Sequence, residues 1–211
     1  MKLSLYFVIL SLSLSTISAK TKILGMPRCT EEQMKTYLLK RNPKVPKKYL
    51  HYVKYYLSEG KKEGIRGDLA FCQSLHETNF FKFGGDVIPE QNNFAGIGTI
   101  GGGEKGLFFK TPQEGIRAQI QHLKAYASKK PLILSCVDPR FQCVENRGCA
   151  PYIEDLGGKW AFPGFDTKKY KTFKQAYRKH DTYGHKIVKL YNEIRKINSK
   201  KVSPKTFLHK K

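Results

Sequence analysis

Apolar residues recur at helical spacing along most of this chain. Residues 31–41 and 46–59 predict two lysine-rich helices, and glycines at positions 60 and 64 end the second one. The apolar face of that second helix carries Tyr49, Val53, Tyr56 and Leu57. A third helix is predicted to begin at Gly67-Asp68, because aspartate is a favourable N-cap and an apolar stripe follows it. That stripe comprises Leu69, Cys72 and Leu75/His76.

Further helices are predicted in the second half of the chain. Thr111-Pro112-Gln113-Glu114 forms a capping box with proline at the first helical position. The core-facing stripe of this helix comprises Ile116, Ile120, Leu123 and Ala127. Residues 150–158 also have a helical pattern, and a last helix is predicted over 182–197. Its inward residues are Ile187, Leu190, Ile194 and Ile197.

Between the third helix and the capped helix lies a glycine-rich segment, residues 84–106. Short stretches in which apolar and polar residues alternate favour a small β-hairpin in this segment. No internal repeat and no Pro- or Ser-rich linker divides the chain. The pattern therefore predicts one α+β domain, mostly α, with a small β-hairpin inserted after the third helix.

The first 19 residues have the organisation of a secretory signal: a basic start, an apolar run of about a dozen residues, and a small-residue end at Ser18-Ala19. A membrane anchor is the alternative, but the apolar run is short for a span and is interrupted by serines. We therefore expect a signal peptide over 1–19, one domain over 20–198 and a basic tail over 199–211. The protein is expected to be secreted and extracellular, without stable membrane insertion.

The charge is strongly positive, since 39 Lys and Arg residues against 17 Asp and Glu residues give a formal net charge of +22. Such a surface attracts polyanions, including nucleic acids, acidic glycans and the anionic polymers of bacterial envelopes. Secretion makes nucleic acid the less natural partner, so none is expected. Net charge alone does not distinguish among the other polyanionic partners. It also does not prove a binding surface, because scattered lysines keep a protein soluble.

The chain has five cysteines, which in a secreted protein suggests disulfides with one thiol left over. Cys136, Cys143 and Cys149 lie close together in the sequence, so at least one local bridge is expected there. Cys72 lies among apolar neighbours and is expected to be a buried thiol. There is no Cys-x-x-Cys and no histidine at ligand spacing, so neither a metal nor a cofactor is predicted.

Glu77 has the most informative surroundings of any ionisable residue. It falls near the C-terminal end of the third predicted helix, where unpaired carbonyls carry partial negative charge. Phe80, Phe81 and Phe83 follow it and can exclude water. Both effects favour the protonated carboxyl group that a general acid needs near neutral pH. Gln73, one turn earlier on the same face, is a candidate to orient that group. A solvated surface charge is the competing interpretation.

Two short motifs are rejected. His76-Glu77 lacks the second histidine of a zinc-protease motif, because position 80 holds phenylalanine. The glycines at 96, 98 and 101 match a dinucleotide-binding pattern, but further glycines follow where that motif needs a helix.

Five longer segments occur in order across about residues 30–195: GIRGDLAFCQSLHETNFFKFGGDVIPEQNNFAGIG, TPQEGIRAQIQHLKAYAS, VDPRF, APYIEDLGGKWAFPG and TYGHKIVKLY. Together they resemble the glucosaminidases of glycoside hydrolase family 73. The resemblance implies a lysozyme-like α+β fold with the hairpin beside the active-site cleft. It also implies hydrolysis of the β-1,4 bond between N-acetylglucosamine and N-acetylmuramic acid in bacterial peptidoglycan, with Glu77 as the acid. The same resemblance places Asn92, Asn93, Phe94, Gly96 and Ile97 on the floor of the sugar groove.

The second catalytic group is open. Glycoside hydrolysis usually needs a carboxylate across the sugar from the acid. Asp86, Glu90 and Glu104 are the candidates in the glycine-rich segment, and Glu104 is preferred because it lies in the predicted hairpin loop that would fold over the acid. The acetamido group of the substrate could instead act as the nucleophile, which would leave Glu77 as the only essential carboxylate.

Aromatic side chains are candidates for sugar binding, because their flat faces can stack on sugar rings. The candidates are Tyr126, Tyr152, Trp160 and Tyr183. The resemblance favours Trp160 and Tyr183, and a place in the core is the competing interpretation for both.

The preferred function is that of a monomeric, secreted endo-acting N-acetylglucosaminidase with peptidoglycan and anionic wall polymers as partners. A muramidase or lytic transglycosylase on the same fold, cutting the neighbouring bond, is one alternative. A non-catalytic cationic protein that binds envelopes or glycans is the other, and its effect would survive the loss of Glu77. A defensive, antibacterial role against foreign bacteria is a further hypothesis.

Overall fold

The computed structural model describes residues 19–85, 87–99 and 105–198. These ranges contain six α-helices: α1 (Glu31–Arg41), α2 (Lys47–Glu63), α3 (Gly67–Glu77), α4 (Pro112–Ala127), α5 (Phe173–Arg178) and α6 (Tyr183–Arg195). They also contain three short 3-10 helices, over Pro89–Gln91, Phe141–Cys143 and Ile153–Leu156. The predicted signal peptide up to residue 18, the predicted tail, Asp86 and Glu104 lie outside the described residues.

The long helices begin where the sequence provides caps. Thr30 and Gln33 form a reciprocal capping box at the start of α1, and the Thr111 side chain accepts from the Glu114 backbone N–H at the start of α4. The second helix runs past its predicted end to Glu63, and it stops at Gly64, which has a left-handed φ of 71°. Gly60 is therefore an internal helical residue and not a terminator.

Two helical predictions differ from the structure. The segment 150–158 forms only the 3-10 helix Ile153–Leu156, because Tyr152 before it is extended and bridges to Lys22. Helix α5 was not predicted from the pattern. It is short, and it begins at Thr172, whose side chain accepts from the Gln175 backbone N–H.

Helix α3 is the centre of the core, and it packs against α2, α4 and α6. All its residues from Leu69 to Leu75 are fully buried. The architecture is mostly helical, as expected of a lysozyme-like helical domain. None of the helices in the described ranges is long and apolar enough to cross a membrane.

The β-hairpin prediction finds no support in the described part of residues 84–106, which contains no strand. The backbone N–H of Leu107 donates to the Ile97 carbonyl, but no ladder continues from this bond. The Asn93 side-chain amide instead donates to the Ile97 and Leu107 carbonyls, at 2.8 and 3.1 Å. Gly98 has a φ of 79°, outside the extended region. Side-chain hydrogen bonds and turns therefore organise the described backbone here.

The prediction of a disulfide among Cys136, Cys143 and Cys149 is wrong for this structure, in which all five cysteines are free thiols. Closeness in sequence does not bring two Cβ atoms to the separation of about 3.8 Å that a bridge needs. The Cys136 thiol contacts the Asp138 carbonyl at 3.3 Å instead. Cys72 is fully buried, as predicted.

Candidate active site

Glu77 is the last residue of α3, and an unusual turn follows it. Four residues of this turn have φ between 48° and 60°: Asn79, Phe80, Phe81 and Phe83. Such left-handed conformations are uncommon for residues with a Cβ atom, and they concentrate at functional sites. The Thr78 hydroxyl holds the turn, because it donates to the Ser74 carbonyl at 2.6 Å and accepts from the Phe81 backbone N–H at 2.9 Å.

The Glu77 carboxyl group lies at a cleft of about 450 Å³. His76, Phe83, Gly85, Val87, Gly96 and Thr99 are among its lining residues. Gly96 has a φ of 63°, and a Cβ atom at this position would lie 3.9 Å from Glu77 Oε2 and 3.2 Å from Thr99 Oγ1. A glycine here keeps the backbone close to the carboxyl group without filling the cleft. A larger cavity of about 690 Å³ shares no lining residue with this cleft.

Burial raises the pKa of Glu77 from its ordinary value to about 7, and hydrogen bonding by Tyr183 and Trp160 acts in the opposite direction. The three phenylalanines contribute unequally to this burial. Phe83 lines the cleft, whereas Phe81 stacks on Tyr49 in the core and Phe80 lies under the Arg41 guanidinium. A carboxyl group with this pKa is partly protonated at neutral pH and can donate a proton.

Tyr183 is the closest polar partner of Glu77. Its hydroxyl donates to Glu77 Oε1, and it accepts from Gln73 Nε2 at 2.9 Å. Tyr183 is 6% exposed and Gln73 is fully buried. Gln73 therefore reaches Glu77 only through Tyr183, and neither side chain offers a broad face to a sugar.

Trp160 is a second side chain beside Glu77 and is partly buried. Its indole meets the His122 ring edge-on, with 4.8 Å between the ring centroids. His122 Nδ1 lies 2.7 Å from the carboxylate of Asp138, which is 1% exposed. This pair was not predicted from the sequence, because His122 falls off the apolar stripe of α4 and Asp138 lies in a loop.

Residues 53–196 match the glucosaminidase family, described as mannosyl-glycoprotein endo-beta-N-acetylglucosaminidase. The chain belongs to this family. The match runs from within α2 to the end of α6 and includes Glu77, Trp160 and Tyr183. The family resemblance inferred from the sequence segments is thereby confirmed, and the chain is a glycosidase of the endo-β-N-acetylglucosaminidase type.

A curated relative of this glucosaminidase is an uncharacterised protein of Borreliella burgdorferi. The two are 47% identical over 141 residues, which are 66% of this chain and 69% of the relative. No solved structure matches the chain.

The glucosaminidase segment Asn92–Phe94 is mostly internal. Asn93 and Phe94 are 1% and 2% exposed. Phe94 packs against Tyr49, Tyr52 and Phe81. The Asn92 side chain is half-buried and donates to the Phe109 carbonyl at 2.9 Å. These residues shape the loop that carries Gly96.

Two other aromatic candidates of this glucosaminidase differ in position. The Tyr126 ring centroid lies 5.8 Å from that of Trp160, so it belongs to the same aromatic cluster. Tyr152 bridges to Lys22, and the Lys20 ammonium lies 5.6 Å from its ring centroid. Tyr152 is therefore not one of the side chains that surround Glu77.

The candidates for a second carboxylate are not all described. Asp86 and Glu104 lie outside the described residues, and Glu90 is exposed and does not line the cleft. Gly85 and Val87, on either side of Asp86, do line it. In the ranges that the structure covers, no three His, Cys, Asp or Glu residues are grouped so that they could hold a metal ion.

A basic cavity adjoins the cleft. His76 and Asn79 line both spaces, and the second one has a volume of about 270 Å³. Arg41, Lys186 and Lys189 surround it together with Glu193. Burial and the Lys186 ammonium lower the pKa of His76, which favours the neutral imidazole beside Glu77.

Proposed function

We propose that this glucosaminidase cleaves the β-1,4 bond between N-acetylglucosamine and N-acetylmuramic acid in bacterial peptidoglycan, with Glu77 as the general acid. The observation that carries the proposal is the position of Glu77 at the end of α3, where its carboxyl group borders the cleft with a pKa of about 7. Secretion directed by the segment 1–19 is part of the proposal, because it would bring the enzyme to its peptidoglycan substrate.

The two carboxyl oxygens of Glu77 have different surroundings. Oε1 accepts from the Tyr183 hydroxyl, whereas Oε2 lies near Gly96, at the cleft. In the proposed step the proton leaves Oε2 for the glycosidic oxygen, the bond from that oxygen to the anomeric carbon breaks, and the leaving sugar departs as an alcohol. The resulting carboxylate keeps its hydrogen bond from Tyr183, which stabilises the charge formed in the step.

In the proposed route a water molecule then supplies an electron pair to the anomeric carbon, and a second group must take a proton from it. We propose a carboxylate of the segment 84–106 as the base that activates this water, Glu104 first and Asp86 next. It would remove a proton from the attacking water. In the alternative, the substrate's acetamido oxygen attacks and water opens the resulting ring. Trp160 is proposed as the sugar-binding aromatic residue, because it is partly exposed and lies beside Glu77.

The pH dependence of hydrolysis follows from the pKa of Glu77. The general acid must be protonated, so we expect activity on a soluble glycan to fall above an apparent pKa of about 7. The decline should approach about tenfold for each pH unit. Initial rates between pH 5 and 9, at substrate concentrations below saturation, measure this alkaline decline in activity. A flat profile from pH 6 to 9 would contradict the assignment of the acid.

We also propose that the basic cavity helps to hold anionic groups of the wall, in keeping with the formal net charge of +22. Binding to intact walls should weaken steeply between 0.1 and 1 M salt, because the Debye length falls from about 10 Å to about 3 Å. Cleavage of a short uncharged glycan should change little over the same range.

Lys186→Gln with Lys189→Gln should lower wall binding at low salt more than Lys168→Gln with Lys171→Gln. Both pairs are exposed and remove the same charge, but only the first pair lines the cavity. Co-sedimentation with purified walls measures the difference. Equal losses in the two variants would show that net charge acts without a defined docking surface.

A further inference from the structure

A chain of hydrogen bonds passes through the core and ends at Glu77. Tyr56 donates to Ser74 Oγ at 2.8 Å, and Ser74 donates to Gln119 Oε1 at 2.9 Å. Gln119 Nε2 then donates to Gln73 Oε1 at 2.8 Å. The chain continues from Gln73 to Tyr183 and from Tyr183 to Glu77, so it links α2, α3, α4 and α6.

The direction of these bonds is fixed by a backbone carbonyl. Gln119 Nε2 also donates to the carbonyl oxygen of Ala70 at 2.9 Å, and a carbonyl can only accept. If the Gln119 amide turned over, its oxygen would face the Ala70 oxygen at hydrogen-bond distance, and two acceptors so close together repel each other. The Gln119 amide is therefore held in one orientation, with its nitrogen toward Ala70 and Gln73.

That orientation determines every later bond. The Gln73 oxygen must face the Gln119 nitrogen, so the Gln73 nitrogen faces Tyr183. The Tyr183 oxygen then accepts from Gln73, and its own proton is left for Glu77 Oε1. Gln73, Ser74 and Gln119 are fully buried, so water cannot offer any of them another partner.

We propose that Gln119 is a positioning residue, which acts through Gln73 to keep the Tyr183 hydroxyl a donor to Glu77. The proposal rests on the proposed role of Glu77 as the acid, and it adds one residue, Gln119, that touches neither substrate nor the reacting atoms. Its effect is to keep the proton-donating function on Oε2, at the cleft, and to stabilise the carboxylate after proton transfer.

Loss of the Gln119 amide has a defined consequence. In Gln119→Met, Gln73 Oε1 loses the hydrogen bond that it accepts from Gln119 Nε2. The Gln73 amide is then free to turn over, which presents its oxygen to the Tyr183 hydroxyl. Tyr183 can then donate to Gln73 in place of Glu77. Because the Tyr183 hydrogen bond lowers the pKa of Glu77, its loss should raise that pKa. The other groups at Glu77 are Trp160 and the neighbouring His76, with Lys186 beyond it, and all stay in place.

The experiment is a titration of the Glu77 side-chain carboxyl carbon by ¹³C NMR, with Glu77→Gln to assign the signal. In Gln119→Met the pKa should rise to about the value found in Tyr183→Phe, and the alkaline limb of hydrolysis should move up with it. The control is Gln121→Met. Gln121 is an equally buried amide on α4, but it bonds the Ser135 carbonyl and the backbone N–H groups of Val137 and Asp138. An unchanged pKa in folded Gln119→Met, or an equal shift in Gln121→Met, would overturn the proposal.

The wild-type protein provides a test that does not depend on a stable variant. The side-chain amide protons of Gln73 should show nuclear Overhauser contacts to the Tyr183 ring. Contacts from those protons to Gln119 alone would mean the opposite amide orientation and would overturn the proposal. Neither the carboxyl titration nor the nuclear Overhauser measurement uses substrate. A failure of Glu77 as the catalytic acid would therefore leave these results unchanged and would be recognised separately, from the activity of Glu77→Gln.

Discussion

Glu77→Gln is expected to reduce the hydrolysis of peptidoglycan by about 10²–10⁴-fold, which is the usual loss when a general acid is removed. The amide can still accept from Tyr183, so the hydrogen bond at position 77 is kept while the transferable proton is lost. The measurement is the release of reducing ends from purified walls. Activity within about tenfold of wild type would refute the role of Glu77 and would favour the non-catalytic cationic alternative.

The same variant should be folded, and its stability provides an internal control. The pKa of Glu77 in the folded protein, about 7, lies above its ordinary value of 4.5. Below pH 4.5 the carboxyl group is neutral in both the folded and the unfolded protein, so its burial costs little free energy. Between pH 4.5 and 7 the carboxyl group is ionised in the unfolded wild type but still protonated in the folded protein, which favours unfolding, whereas glutamine stays neutral in both states. The free energy of unfolding of Glu77→Gln relative to wild type should therefore increase between pH 4.5 and 7, as denaturant titrations can measure.

Gly67→Ala is expected to cause a large loss of stability. A Cβ atom at Gly67 would lie 2.0 Å from the Tyr56 carbonyl oxygen and 3.1 Å from the Leu57 Cα atom. Because both neighbours are helical backbone, α2 and α3 must move apart. Overpacking of this kind costs about 3 kcal/mol. Thermal unfolding should show a fall in Tm of about 6–12 °C for a domain of this size.

The loss in Gly67→Ala should extend to activity, since Glu77 lies at the other end of the displaced helix. Gly85→Ala is the control for stability. No described atom lies within 4 Å of a Cβ atom at that position, and its backbone is outside the left-handed region. A Tm for Gly67→Ala equal to that of Gly85→Ala would contradict the close approach of the two helices.

The sequence predicted the elements whose determinants are local. Helix α1 has the predicted bounds, and α4 begins at its capping residue, Thr111. The hairpin prediction used alternation and glycine content, but it ignored the side-chain amide of Asn93, which bonds backbone groups that a ladder would use. The disulfide prediction used spacing alone, and spacing does not define the separation of Cβ atoms.

The site was predictable in part for the same reason. Helix position and apolar neighbours made Glu77 a candidate, because both act on it through the local chain, and the family resemblance then favoured it over a surface charge. The partners that define its chemistry come from far along the sequence: Tyr183 lies on α6, and Gln119 lies on α4. A buried glutamine such as Gln119 has no signal in a pattern of apolar positions, since it lies between Ala118 and Ile120 and differs from a surface glutamine only by its burial.

The chemical identity of the new chain ends tests the central claim most directly. Peptidoglycan digested by the wild-type enzyme should be reduced with borohydride and its fragments identified by mass spectrometry, with Glu77→Gln as the parallel digest. The proposed reaction predicts reduced N-acetylglucosamine at the new ends, and almost none in the digest by Glu77→Gln. Muramic or anhydromuramic ends from the wild-type enzyme, or the same products in comparable amounts from Glu77→Gln, would contradict it.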